Sequence, residues 1–86
     1  MAYSVVLSKK ARKFLRDFKD ARQRQRLEEA IEDLAEQPRP SGVKQLTASD
    51  GLHRIRVGDY RILYSIQDAR LLVLILEVGD RKDIYR

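Results

Sequence analysis

The sequence predicts an α+β fold in which an N-terminal strand and a two-helix hairpin precede an antiparallel three-stranded meander. Three observations predict it: two consecutive amphipathic stretches between residues 8 and 36, a tight turn at Gly58-Asp59 between two strand-like runs, and six consecutive apolar residues from Leu71 to Leu76. Because the helices come as one pair and the strands as a meander, we expect a twisted, mostly antiparallel sheet of about four strands with both helices on one face.

The first strand and the first helix are predicted from residues 2–18. Ala2 to Leu7 reads as a strand, and Ser8 is a favourable N-cap for the helix that follows. The apolar residues of that helix fall at i, i+3, i+4 and i+7, and they are Ala11, Phe14, Leu15 and Phe18. This spacing indicates a stripe that packs against the core.

A second helix follows a break near Lys19-Asp20 and is predicted to run to about Glu36, where two prolines end it. The next residues have the composition of a connecting loop, within which Val43 to Leu46 is predicted to form a short edge strand. We expect the first strand to lie beside the third or fourth strand of the sheet.

The turn at Gly58-Asp59 fixes the register of a hairpin, because a two-residue loop leaves one way to pair the flanking strands. Val57 should face Tyr60, and each step away from the turn adds one pair: Arg56 with Arg61, Ile55 with Ile62, Arg54 with Leu63, and His53 with Tyr64. Side chains alternate between faces, so the three arginines share the face that the helices leave open. Arginines directly opposite each other repel, unless an anion or an acidic neighbour compensates.

The run from Leu71 to Val78 is predicted to be a central strand that is covered on both faces, because apolar residues occupy six consecutive positions. Gly79 is expected to end this strand. The polar residues that follow would then lie at the open face of the sheet or at its rim.

Composition restricts the class of protein. Eighty-six residues suffice for one domain, predicted to span residues 1–86, and the chain has no cysteine and one histidine. These counts disfavour a disulfide framework and a cysteine- or histidine-based metal site. The apolar run is too short to span a bilayer, and we expect a cytoplasmic protein without a membrane partner. The net charge of +5 is compatible with nucleic acid or an acidic protein as a partner, and equally with the surplus lysines that small soluble domains often carry on solvated faces.

Six residues carry the predicted chemistry. Arg54, Arg56 and Arg61 come from the hairpin, and Arg81, Lys82 and Tyr85 come from the last residues of the sequence. Guanidinium groups bind phosphate oxygens in pairs and stay charged at any relevant pH. A phenol can stack on a base or take part in proton transfer. This combination suits RNA. By contrast, His53, Tyr60 and Tyr64 are interpreted as packing residues, and Arg70 as a solvated turn residue.

Other catalytic classes lack their motifs. The sequence contains no G-x-S-x-G, no phosphate-binding P-loop, no cluster of metal ligands and no carboxylate pair placed for glycoside hydrolysis. These absences set those catalytic classes aside.

Several segments in a fixed order resemble one family. They are S-x-x-A-x-x-x-L from Ser8 to Leu15, the PRP that ends the second helix, KQL, GLHRIRVGDYRILY and VGDRKDIYR. In this order and spacing the chain resembles the RelE/ParE superfamily of type II toxins, and more closely its RelE branch. The resemblance covers essentially the whole chain.

The resemblance implies a metal-independent, cofactor-free endoribonuclease that enters the A site of the 30S ribosomal subunit, cuts mRNA there and is inhibited by a cognate antitoxin. Cleavage in such enzymes proceeds by attack of the ribose 2′-hydroxyl on the adjacent phosphate. By match to the family motif, Arg61 and Arg81 neutralise transition-state charge, and Tyr85 orients the scissile nucleotide or acts as a base. Arg54, Arg56 and Lys82 would bind RNA phosphates. We expect the free toxin to be a monomer.

The sequence departs from the family pattern on the second strand, where arginines stand in place of lysines. Arginine holds charge but does not carry protons, so proton transfer would fall to Tyr85, to Lys82 or to ribosomal RNA. Two alternatives remain: a ParE-like inhibitor of DNA gyrase without nuclease activity, and a weakened toxin relative that acts as a DNA-binding partner of its antitoxin. The presence of Arg81 and Tyr85 favours the endoribonuclease that cuts mRNA over both alternatives.

Overall fold

The computed structural model describes residues 2–40, 42–45 and 51–80. In this part of the chain two helices and a five-stranded sheet form an α+β fold, with the strands in the order β1-β5-β4-β3-β2. The elements are β1 (Ser4–Leu7), α1 (Lys9–Arg16), α2 (Ala21–Glu36), β2 (Lys44–Gln45), β3 (Leu52–Val57), β4 (Tyr60–Gln67) and β5 (Leu72–Asp80), with a 3-10 turn at Asp68–Arg70. The predicted fold class is confirmed.

Side-chain caps fix where both helices begin. The hydroxyl of Ser8 accepts a hydrogen bond from the backbone N–H of Ala11 at 3.0 Å, as the predicted N-cap requires. At the start of α2 a carboxylate oxygen of Asp20 accepts from the N–H groups of Arg22 and Gln23. The predicted break before the second helix is therefore a capped helix start.

The hairpin of β3 and β4 has the predicted register. Val57 lies opposite Tyr60 and Arg56 lies opposite Arg61, and the pairing continues to His53 with Tyr64. Gly58 has φ of 61°, a conformation that the tight turn needs and that glycine adopts without steric strain.

The two flanking strands complete the sheet. β1 pairs in parallel with β5, so the first strand lies beside the last strand, one of the two predicted places. At the other edge of the sheet β2 pairs antiparallel with β3. Its two residues fall within the range predicted for the edge strand. Leu46, the last residue of that prediction, lies outside the described residues.

The core lies between the helices and one face of the sheet. Its fully buried side chains include Leu27 and Leu34 from α2 and Ile62, Tyr64 and Ile75 from the sheet. Apolar burial on this face is the main contribution to the free energy of folding.

The prediction that the last strand is covered on both faces is wrong. β5 is central, between β1 and β4, but only the side chains on its helix face, Val73, Ile75 and Val78, are buried. Its other apolar side chains, Leu72, Leu74 and Leu76, are half-buried. Strand alternation sends them to the face that carries no helix. Leu71 precedes the strand, in a left-handed turn conformation with φ of 50°.

A bulge separates the two halves of the β4–β5 ladder. Leu63 pairs with Glu77 and Tyr64 pairs with Ile75, which leaves Leu76 as the extra residue. Bulges bend and twist a sheet locally, and this one begins at Leu63, two residues after Arg61 on β4. Beyond it β5 continues to Asp80, so Gly79 lies within the strand, opposite Arg61, and does not end it as predicted.

Among the described residues no helix combines the length and the apolar character needed to cross a bilayer.

Candidate functional site

A cavity of about 270 Å³ opens on the sheet face that the helices leave bare. Its described lining consists of Gly42, Lys44, Arg54, Arg56 and Arg61. None of these described residues is acidic, and four of them are cationic. The hairpin register brings the three predicted arginines to one cavity, as their placement on one face required.

The three arginines differ in burial. Arg61, on the middle strand of the sheet, is only 7% exposed. Arg54 is half-buried, and Arg56 is exposed at the rim of the cavity. Nε of Arg56 donates a hydrogen bond to the carbonyl oxygen of Gly58 at 3.1 Å, which holds that side chain beside the turn. Because a guanidinium keeps its proton when buried, Arg61 supplies permanent positive charge at the floor.

The neighbouring strand, β5, leaves space in the cavity next to Arg61. The residue of β5 opposite Arg61 is Gly79, which has no side chain. A larger residue at this position would project onto the same face as Arg61, next to it.

Lys44 is a cavity residue that the sequence interpretation did not assign. It lies directly opposite Arg54 in the β2–β3 ladder, and its neighbour Val43 packs against the core. The backbone N–H of Val43 donates to the carbonyl oxygen of Pro40 at 3.1 Å, in a turn where Gly42 has φ of 86°. The signal in the sequence was the KQL segment in the predicted edge strand, but two residues of strand show no periodicity.

An ion pair anchors the segment that leads to Lys44. The guanidinium of Arg39 donates two hydrogen bonds to the carboxylate of Asp68, at 3.2 and 2.9 Å, and the phenol of Tyr3 donates to the same carboxylate at 2.6 Å. The hydrogen bond from Arg39, followed by that from Tyr3, lowers the pKa of Asp68 to about 2. We refer to Tyr3, Arg39 and Asp68 as the clamp.

Beside the clamp, the buried phenol of Tyr64 donates to the carbonyl oxygen of Pro38 at 2.7 Å. Burial raises the pKa of Tyr64 to about 12, so this phenol remains a hydrogen-bond donor at neutral pH. The chain is therefore held at Pro38 and at Arg39, immediately before the segment that carries Lys44.

His53, Tyr60 and Tyr64 are packed, as interpreted from the sequence. His53 is 4% exposed, stacks on Tyr64 with ring centroids 5.7 Å apart, and has Nδ1 2.7 Å from the carbonyl oxygen of Gly51. Tyr60 contacts Phe14 and Phe18 edge to face. All of these rings lie on the helix side of the sheet, away from the cavity.

A second concave region lies beside α1. Phe14, Phe18 and Val78 form its apolar floor, its charged lining residues are Lys10, Lys13 and Asp17, and its volume is about 420 Å³. An apolar floor lined by two lysines and one aspartate is typical of a surface that binds an amphipathic helix with acidic residues.

Three predicted site residues, Arg81, Lys82 and Tyr85, lie outside the described residues, and their roles remain predictions. Arg81 follows directly on Asp80, the last residue of β5, which pairs with Tyr60. Within residues 2–40, 42–45 and 51–80 no group of three or more His, Cys, Asp or Glu side chains is arranged to hold a metal ion.

Solved structures of toxins share this fold. The RelE–RelB complex of the archaeon Pyrococcus horikoshii OT3 superposes with a TM-score of 0.81 at 31% identity, over 94% of this chain and 97% of that chain. The RelBE2 toxin–antitoxin complex of Mycobacterium tuberculosis gives a TM-score of 0.75 at 32% identity, over 94% and 100% of the two chains. The architecture is therefore that of the RelE/ParE toxin superfamily.

Sequence comparison identifies the family. A model described as the ParE toxin of the type II toxin–antitoxin system parDE matches residues 5–85, and this chain belongs to that family. The toxin RelG of Mycobacterium tuberculosis is 40% identical over 60 residues, which cover 70% of this chain and 69% of RelG. The chain is thus a RelE-like toxin of the type II class, as its motifs suggested.

Proposed function

We propose that this toxin is a ribosome-dependent endoribonuclease that cleaves mRNA in the A site of the 30S subunit. The observation that supports the proposal is the cavity in which Lys44, Arg54, Arg56 and Arg61 converge, with no acidic residue in the described lining. A cavity of this composition attracts the phosphodiester backbone, and its size of about 270 Å³ suits one phosphate and part of its ribose.

We assign the roles of the cavity arginines according to how deeply each side chain is buried. Arg61 at the floor is preorganised to stabilise the charge that develops on the phosphate when the 2′-oxygen attacks, and such preorganised donors contribute about 10²–10³-fold in rate. Arg54 and Arg56, which are more exposed, bind the flanking phosphates. We further propose that Arg81 adds charge at the reacting phosphate, that Lys82 binds RNA and that Tyr85 orients the nucleotide. The proposed reaction uses no metal or other cofactor.

A cognate antitoxin is the proposed inhibitor. The similar toxins of P. horikoshii and M. tuberculosis were solved in complex with their antitoxins. In this chain the apolar groove over Phe14 and Phe18 would accommodate the apolar side of an acidic amphipathic helix, and the cationic sheet face would attract acidic side chains of the antitoxin. We propose that the free toxin is a cytoplasmic monomer.

One observation favours a second candidate function. The matching family model is described as a ParE toxin, and the ParE alternative is a gyrase inhibitor without nuclease activity. The two functions predict different products: cut mRNA in one case and trapped gyrase–DNA complexes in the other.

Primer extension on an mRNA in a translating extract tests the proposal. Wild-type toxin should give cuts at fixed codon positions, and Arg61→Ala should reduce the cleavage rate by about 100-fold or more. Arg81→Ala and Tyr85→Phe should also impair cleavage. The matched control is Arg70→Ala, in the exposed turn before β5, which should cleave like wild type. Intact mRNA together with gyrase trapped on DNA would contradict the proposal and favour the ParE-like function.

A further inference from the structure

The described lining of the cavity contains one side chain that is able to give up a proton. Arg54, Arg56 and Arg61 stay protonated, whereas the ammonium of Lys44 is a possible proton donor. The other candidates for proton transfer near β3 and β4, namely His53, Tyr60 and Tyr64, are packed on the opposite, helix-covered face. Cleavage of a phosphodiester needs a proton on the departing 5′-oxygen.

We propose that Lys44 is the general acid of this enzyme, and that it protonates the 5′-oxygen leaving group from β2. The proposal rests on the proposed ribonuclease function. Lys44, on the edge strand β2, would then donate the proton that the arginines of β3 are unable to donate.

The position of Lys44 is defined by its partner in the β2–β3 ladder and by its neighbour in the chain. Its Cα lies directly opposite that of Arg54, so the two side chains project from adjacent strands onto the same face. Val43, one residue earlier, points to the core and thereby directs Lys44 to the cavity.

The start of the segment that carries Lys44 is fixed as well. The clamp holds Arg39 on Asp68, and the buried phenol of Tyr64 holds the carbonyl of Pro38. The ammonium is therefore presented from an anchored segment, although Lys44 itself is exposed. Preorganisation of this kind is what proton donation in a transition state requires.

The reaction balances as follows. The 2′-oxygen forms a bond to phosphorus, and the bond between phosphorus and the 5′-oxygen breaks. The 5′-oxygen takes a proton from Nζ of Lys44, while the proton of the 2′-hydroxyl passes to water. The neutral amine then recovers a proton from solvent. The products are a 2′,3′-cyclic phosphate and a 5′-hydroxyl, with no net gain or loss of protons.

The decisive experiment compares two leaving groups. Ribosomes are programmed with an mRNA that carries either the normal 5′-oxygen or a 5′-bridging sulfur at the scissile linkage, and single-turnover cleavage is measured. A thiolate leaves without protonation far more readily than an alkoxide does, because thiols are much stronger acids. A variant that lacks only the general acid should therefore be defective with oxygen and recover with sulfur.

Lys44→Arg is the informative variant, because it keeps the positive charge and removes the proton donor. With oxygen, its rate constant should fall by about 100-fold or more, while the concentration for half-saturation stays within about threefold of the wild-type value. With sulfur, its rate constant should lie within about threefold of wild type. Lys19→Arg, the same change at an exposed lysine between the helices, is the matched control and should cleave both substrates like wild type.

Two results would overturn the inference while leaving the ribonuclease function intact: a wild-type rate for Lys44→Arg on the oxygen substrate, or an equal defect on both substrates. Circular dichroism and thermal unfolding of Lys44→Arg check that the fold is unchanged. If Lys44→Arg unfolds, the same comparison made with Lys44→Met decides the question. Failure of the wild-type chain to cleave the oxygen substrate would contradict the proposed function itself, and the inference with it.

Discussion

Arg61 and Ile62 are consecutive residues of β4, both are buried, and they lie on opposite faces of the sheet. Ile62 has no exposed surface and packs among apolar side chains beneath the helices, so its burial stabilises the fold. Arg61 is 7% exposed and lines a cationic cavity, where removal of a guanidinium from water costs free energy. The helix-covered face thus contributes stability, whereas the open face holds charge in place at the expense of stability.

The sharpest test of this comparison is truncation on each face. Ile62→Ala should lower the free energy of unfolding by about 2–5 kcal/mol, since it removes fully packed atoms and leaves a cavity. Arg56→Ala, at the exposed rim of the open face, should change it by no more than about 0.5 kcal/mol. Urea unfolding measures both values. Equal losses for the two variants would mean that the faces do not divide stability and function as described.

A test of smaller expected effect concerns the open face alone. Arg54→Gln should weaken binding of a short single-stranded RNA, because a cation that contacts a phosphate is lost. The plot of log affinity against log salt concentration should become shallower by about 0.7 for one lost phosphate contact. Fluorescence anisotropy at several salt concentrations gives the slope. Arg70→Gln, in the exposed turn, is the charge-matched control, and a slope as shallow as that of Arg54→Gln would exclude a specific role for the cavity.

The smallest expected effect concerns the clamp, which lies at the surface. The pKa of Asp68 in the folded protein, about 2, lies below the ordinary value of 3.8 that the unfolded chain would show. The carboxylate therefore contributes stability that is complete above about pH 4–5 and is lost as the pH falls towards 2. In thermal unfolding across this range, Asp68→Asn should remove part of the acid destabilisation. Asp33→Asn, on an exposed position of α2, is the control, and an equal effect there would argue against the clamp.

Local signals explain why much of the fold was predictable. The register of β3 and β4 follows from a two-residue turn, and the two helices follow from apolar spacing together with a capping residue. Each of these signals lies within a few residues of the structure that it determines. The convergence of Arg54, Arg56 and Arg61 was predictable for the same reason, since alternation along one hairpin places them together.

The remaining features depend on contacts between distant segments. The place of Lys44 is set by the pairing of a two-residue strand, and the segment before it is held by an ion pair between residues 39 and 68. The half-buried state of Leu72 and Leu74 depends on which face the helices cover, and six consecutive apolar residues carry no information about that choice. The depth of Arg61 likewise results from the neighbouring strands and not from its own hairpin.

The parallel pairing of β1 with β5 determines when the fold of the toxin can be completed during synthesis. Ser4 pairs with Leu72, so the first strand waits for 68 further residues before its partner exists. At about 5–20 residues per second, that delay is on the order of 3–14 s. Gly79, opposite Arg61, belongs to the same late strand. A partly made chain therefore has neither the complete sheet nor the complete cavity, and the cationic cavity is not finished until β5 has emerged from the ribosome.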